Sequence, residues 1–530
     1  MQSKKLRVLS LLLVLAMAFG LFAGCSKDDP APADDDKTVV DDGEKKEEQP
    51  KGDGDGAGKD TIVIATMSET PSLSPTDHNA TAGSYMNLLT YSTLFSSDVE
   101  MNPQPLLVES YENISDTVWE FKLRQGVKYH NGETMTVEDV KASLDNAKLC
   151  PEISLYNDCV ESVEIVDDQT FRITTDGPSA VLLNHLGHHG NAIVPKALLD
   201  AGHDFAVDPV GSGPYKLVEW KRGDSVEFEA FEDYFLGEAP IKHMVWKIIP
   251  EGSSRTIALE AGEIDFIVEV EAMDYDRLKS NDDVAIYEYS ATEHNWMMLN
   301  NEKPGLDNAD VRKAIDCAVD KEAIVTVALN GMGEAIYSHA PNNLPGASEE
   351  NTNSHDPEKA KEYMDKSGVD PASVQLAIIC SNDTKKRAAE VIQANLKETL
   401  GINCTIESMD LATYLSTTAD GNYTASIGNY TSSDMVSFLV GVYHSKSIGA
   451  SNKTRINDPE VDALIDKASA TIDPAEREKV LQECVAKINA HTPQIPLYQP
   501  VNFRAYSKDL QGVEVSPSGT LYFENVSWKN

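Results

Sequence analysis

Residues 374–409 narrow the fold most. They read VQLAIIC, then the helical run TKKRAAEVIQANLKETLG, then INCTIESM: strand, helix, strand. Strands joined through a helix run parallel, because a tight hairpin joins only antiparallel neighbours, and a parallel pair implies an α/β sheet. The same part of the chain offers a further strand, YTASIGNY (423–430), and helices at 458–471 and 474–491. Ahead of it, LDNADVRKAIDCAVDKEAIVTVALNG has helical spacing, with Val311, Ala314, Ile315, Ala318 and Val319 on one face and Gly331 past its end.

Before about residue 300 the pattern differs. TIVIATMSE (61–69) is a β-branched opening strand, and residues 118–147 read as strand, turn and a helix entered near Thr136, with Glu138 and Asp139 in its first turn. Residues 160–175 alternate like a hairpin around Asp167-Asp168, and 215–231 and 241–249 are two more strands. SSRTIALEAGEIDFIVEV gives a short helix, a stop at Gly262 and a buried strand, and IPLYQPVNFRAYSKDLQGV returns to strand character near the end of the chain. These are a β-rich first lobe, an α/β second lobe, and a tail that rejoins the first. Two chain crossings then connect the lobes, and a gap between lobes so joined closes by hinge bending.

A chain of 530 residues exceeds what one compact core holds, which agrees with two lobes. Its net charge of −41 repels polyanions and argues against nucleic acid as a partner. At the N-terminus a basic MQSKKLR precedes the apolar VLSLLLVLAMAFGLF, which ends in AGC at Cys25. Small residues directly before a cysteine resemble the bacterial lipobox, so residues 1–25 read as a lipoprotein signal with Cys25 lipidated; Phe22 departs from the usual Leu, and the rival is an uncleaved anchor. More than one acyl chain on that cysteine suffices for stable membrane attachment. Residues 26–60 are acidic and rich in Pro and Gly, and read as a disordered spacer. Six scattered cysteines remain, without zinc spacing; whether Cys150 bridges Cys159, or Cys380 bridges Cys404, is open.

Five blocks then occur in order: VWEFKLRQGVKYHNGETMTVEDVKASL, GSGPYKLVEWKRGDSVEFEAFEDYF, IPEGSSRTIALEAGEIDF, ADVRKAIDCAVDKEAIVTVALNGMGEAI and IPLYQPVNFRAYSKDLQGV. Together they resemble the family 5 extracellular solute-binding proteins, the dipeptide-, oligopeptide- and nickel-binding components of ABC importers. The resemblance covers residues 61–530. It implies a two-lobed α/β fold of the periplasmic-binding-protein type (type II, large peptide-binding subclass), with an extra β-rich subdomain at about 105–205 in the first lobe. Residues 61–297 and 496–530 would form that lobe and 298–495 the second. It implies peptide capture in the interlobe cleft, delivery to permease subunits, a monomer tethered to the outer face of the cytoplasmic membrane, and no cofactor.

The stretch GSGPYKLVEW fits neither a phosphate loop, which needs Lys-Ser/Thr and a helix, nor a serine nucleophile turn, for which Ser212 is wrongly spaced. Gly211, Ser212, Gly213 and Tyr215 are either a structural turn or a point where main chain meets ligand. A peptide's ammonium needs a carboxylate, and Asp434 emerges just past the strand ending at Tyr430, with Thr431 and Ser433 beside it. Peptide-binding relatives typically carry Asp three positions after an aromatic residue; here that position is Ser433, so Asp434 is either the ammonium partner or a loop cap. Trp296 and Met297 line a side-chain pocket or pack in the cores at the first crossing, where Asn300 is placed to bond peptide main chain. Ser68, Glu69 and Thr70 follow the opening strand, with Tyr85 behind them. His185, His188 and His189 form the densest imidazole group, a candidate for nickel or a metallophore, yet no partnered Cys or carboxylate completes a metal set. Such a fold also admits an oligosaccharide ligand or a role as a peptide-sensing receptor. A hydrolase lacks its motifs, and none of these residues reads as catalytic.

Overall fold

The structure, a computed structural model, describes residues 59–529. Cys25, the leader before it and the acidic stretch up to residue 58 lie outside the described residues.

The strand–helix–strand unit forms as its pattern predicts. Leu376–Cys380 and Cys404–Ser408 pair in parallel, and Ala425–Tyr430 joins Leu376–Cys380 from the other side, also in parallel. The connecting helix, Asp383–Leu400, starts where the Asn382 side chain accepts from the Lys385 amide and stops at Gly401, whose φ of 71° favours glycine. Its Ala388, Ile392 and Leu396 bury against Met297, Ile378 and Ile427 on one face of the sheet. On the other face, Met435–Val442, Pro459–Ala470 and Pro474–His491 pack on Trp296, Met298 and Ile379. Each fully buried aliphatic side chain contributes roughly 1.5–3 kcal/mol.

In the first lobe Thr61–Thr66 runs parallel to both His243–Ile248 and Phe266–Ile267. A separate antiparallel sheet, Val108–Ser115, Val118–Leu123, Thr170–Thr175 and Val160–Ile165, has its own core, in which Phe121 stacks on Phe171 at 5.3 Å. The helix Val137–Leu149 covers it and begins with Thr136 and Asp139 capping each other's backbone.

One strand belongs to both lobes. Residues 494–498 of Gln494–Ser507 pair with His294–Leu299 in the second lobe, and residues 501–507 pair with Val284–Ser290 in the first. The tail therefore rejoins the first lobe, and His294–Leu299, entered after Ala291–Glu293, belongs to the second-lobe sheet. The lobes touch in this structure: Val181 packs on the second-lobe core, Ile472 on the core of the four-stranded sheet, and the Ala180 amide donates to the Ser469 carbonyl at 2.9 Å.

Two local expectations change, and one open question closes. The helical run after residue 305 is two helices, Ala309–Ala318 and Lys321–Leu329, because the Asp320 side chain caps the second and Val319 is extended between them. Residues 215–231 are a hairpin, Tyr215–Lys221 and Ser225–Ala230, turned at Gly223 with φ 75°. The six cysteines of the described residues are free thiols: Cys380 lies opposite Ser408 and Cys404 opposite Leu376, out of register for a bridge.

Candidate functional site

Between the two crossings the second lobe opens a polar pocket of about 340 Å³. Glu293, Asn295, Asn382, Thr384, Lys385 and Asn429 line it, with Tyr498 and Pro500 from the shared strand. Its floor is the carboxyl end of parallel strands, where α/β sheets bind ligands. The helix Asp383–Leu400 points its N-terminus there, adding partial positive charge to the Lys385 ammonium. Lys385 is 9% exposed and donates to Asn429 Oδ1 at 2.9 Å. Burial lowers its pKa, against the pull of Glu293 and Cys380. Glu293 accepts from Asn295 Nδ2 at 2.9 Å. An ammonium, a carboxylate and amides in one pocket suit a zwitterionic, hydrogen-bonding solute. Lys385 and its neighbours were missed from the sequence, although Asn382 just past a strand and opening a helix was a usable signal.

The next residue along the strand faces the other way, since strand side chains alternate. Tyr430 is half-buried, with its ring 5.9 Å from that of Phe438. Burial raises its pKa, and Tyr156 and Asp434 add to the rise. Asp434 is the N-cap of Met435–Val442, its Oδ1 accepting from the Ser437 amide at 2.8 Å. Its charge acts on His185 of the first lobe and on Arg477 of the second. Thr431 and Ser433 are exposed beside it.

Most of the remaining candidates are spent on the fold. Trp296 and Met297 are 2% and 0% exposed and face opposite cores. Asn300 donates to the Gly421 and Tyr423 carbonyls, and its Oδ1 accepts from the Glu302 amide. Ser212 and Tyr215 are fully buried, and the Gly213 amide donates to the Thr90 carbonyl at 2.9 Å. In the first lobe Ser68 is exposed, Glu69 accepts from Trp220 Nε1 and the Gly223 amide, Thr70 bonds the Ser72 carbonyl, and Tyr85 stacks on Trp246.

The histidines form a stack: Tyr156, His188, His189 and His78 follow one another with centroids 3.5, 4.2 and 5.6 Å apart. Burial, aided by neighbouring imidazoles, lowers His188 to about 2 and His189 to about 4, so both rings are neutral. Among the described residues no group of three or more His, Cys, Asp or Glu is arranged to hold a metal ion.

The profile of the bacterial extracellular solute-binding proteins, family 5 Middle, matches residues 102–450. The chain belongs to this family. This solute-binding protein is 29% identical over 513 residues to heme-binding protein A of Haemophilus influenzae, covering 89% of the chain and 93% of that protein. It is 28% identical over 489 residues to the glutathione-binding protein GsiB of Pectobacterium atrosepticum, covering 89% and 94%. The structure of HbpA2 from Haemophilus parasuis superposes with a TM-score of 0.82 at 26% identity, covering 89% of the chain and all of that one. The solute-binding protein is thus a substrate-binding component of ABC importers with the two-lobed family fold. No helix among the described residues is long and apolar enough to cross a membrane.

Proposed function

We propose that this protein captures a short peptide between its lobes and hands it, chemically unaltered, to a membrane permease, while a lipid on Cys25 holds it at the cell surface. The observation that carries the reading is the polar pocket beside both crossings, with Lys385 at a helix N-terminus. Lys385 receives the peptide's carboxylate and the pocket amides its main chain, while Asp434, past the end of the strand and outside the pocket, is assigned its ammonium. Glutathione is itself a tripeptide, so the GsiB relative supports this class. Heme, the ligand named for the Haemophilus relative, is the alternative that the same assay tests as hemin.

The test is thermal shift and calorimetry with di-, tri- and tetrapeptides, glutathione, hemin and nickel, alongside mass spectrometry of co-purified ligand. Peptides raise the melting temperature progressively as their concentration exceeds Kd. Lys385→Met weakens peptide binding roughly ten- to hundredfold, the worth of one charged hydrogen bond of about 1.5–3 kcal/mol. Cleaved peptide, or no response to any peptide, overturns the reading. Cys25→Ser releases the protein from the membrane fraction; retention there overturns the lipid anchor.

A further inference from the structure

Among the described residues three arginines are almost wholly buried, and two are fully served. Arg255, 1% exposed, donates to the carbonyls of Ile249, Pro250 and Glu269 at 2.8–3.2 Å. Arg312, 6% exposed, donates to those of Thr492, Leu306 and His491 at 2.8–2.9 Å. Arg504, 5% exposed, differs. Its Nε–H has no hydrogen-bond partner, its guanidinium lies 5.0 Å from the centroid of the Tyr289 ring, and its hydrogen bonds are long: the Phe503 carbonyl at 3.3 Å, the Tyr85 hydroxyl at 3.4 Å and the Gly519 carbonyl at 3.5 Å. Among the described residues no carboxylate forms an ion pair with it; nearby Glu269 is engaged by Thr66 and by the Met67 amide. A buried, under-bonded guanidinium is costly, and its fork of donors matches a carboxylate.

Its position is at the strand ends of the first lobe. Ala505, the next residue, pairs with Ile267, so Arg504 lies where three parallel strands end at Ile248, Thr66 and Ile267. That is the first lobe's crevice edge. A space of about 10 Å³, enough for one water-sized group, lies between Tyr85 and residues 66–70; Arg504 does not line it and adjoins it only through the Tyr85 hydroxyl.

We propose that Arg504 is a carboxylate receptor in the first lobe, so that the solute is a short peptide with an acidic side chain in addition to its terminal carboxylate. The side-chain carboxylate takes the unused Nε–H together with Nη2, in place of the long contact to Gly519. This rests on the peptide reading above, which places the terminal carboxylate on Lys385.

The experiment is calorimetry of the whole protein with Ala-Glu-Ala and Ala-Gln-Ala, for the wild type, Arg504→Gln and Arg504→Lys. The wild type binds Ala-Glu-Ala about tenfold or more tightly than Ala-Gln-Ala. Arg504→Gln binds the two alike, and its retained affinity for Ala-Gln-Ala reports an intact fold. Arg504→Lys keeps the charge but loses the fork; it reduces the preference without abolishing it, and serves alone where the glutamine variant does not fold. Equal binding by the wild type, or an undiminished preference in the variants, overturns this inference and leaves the peptide reading standing. Wild type that binds neither tripeptide overturns both.

Discussion

Gly213→Ala separates scaffold from ligand contact in the stretch GSGPY. A Cβ built on Gly213 falls 2.4 Å from the Leu89 carbonyl oxygen, 2.6 Å from the Thr90 carbonyl carbon and 2.7 Å from the Tyr91 nitrogen. All three are main-chain atoms at the end of the helix Thr81–Thr90, so no side chain can rotate away. Relief requires the helix end to retreat by roughly an ångström, and Leu89 with it from the first-lobe core. Overpacking of this kind costs about 1–3 kcal/mol, and the absence of a yielding partner places this case near 3. Urea unfolding followed by tryptophan fluorescence reads the loss, since Trp119, Trp220, Trp246 and Trp528 all lie outside the second-lobe sheet. Gly177→Ala is the control: nothing lies within 4 Å of its Cβ, and its stability changes by less than about 0.5 kcal/mol. A Gly213→Ala protein that unfolds like the wild type yet has lost peptide affinity would refute the argument and make the turn a ligand contact.

Asp316→Ala leaves the fully buried Lys321 ammonium, now 2.9 Å from that carboxylate, without its counter-charge, and lowers stability by about 3–5 kcal/mol. A loss under about 1 kcal/mol in urea unfolding contradicts the pair's role. Asp434→Ala removes a helix cap, costing about 1 kcal/mol of stability, and in the proposed role also weakens peptide binding at least tenfold. Unchanged calorimetric affinity reduces it to a cap. Burial depresses His294 to about 3 and His130 and His339 to about 4, below the unfolded value of 6.5. Unfolding then takes up protons, so these groups cost nothing above about pH 6.5 and remove stability as pH falls from there toward the folded values. At about pH 5 each removes about 2 kcal/mol, and equal urea stability at about pH 7 and pH 5 contradicts this.

The fold was legible where one pattern admitted one structure. The βαβ unit could only be parallel, and the return of strand character after residue 494 could only complete a sheet already begun. Legibility failed where a side chain acts on backbone at short range. Nothing in the helical spacing of 309–329 marks Asp320 as a cap, and Met435–Val442 hides behind loop-like TSSD. For the site, the strand pattern at 423–430 with the carboxyl-end rule singled out Asp434, and the family resemblance added Tyr430. Neither gave weight to Lys385 or Arg504, because a lysine in a charged helix and an arginine in an alternating strand both read as solvent-facing. Only burial sets them apart.

The strand Gln494–Ser507 has a further consequence, for the order of folding. Because residues near the end of the chain fill a place in the middle of both lobes, neither sheet is whole until almost the entire polypeptide has been made. Early segments wait incomplete, and the last strand to be made is the one that closes both sheets.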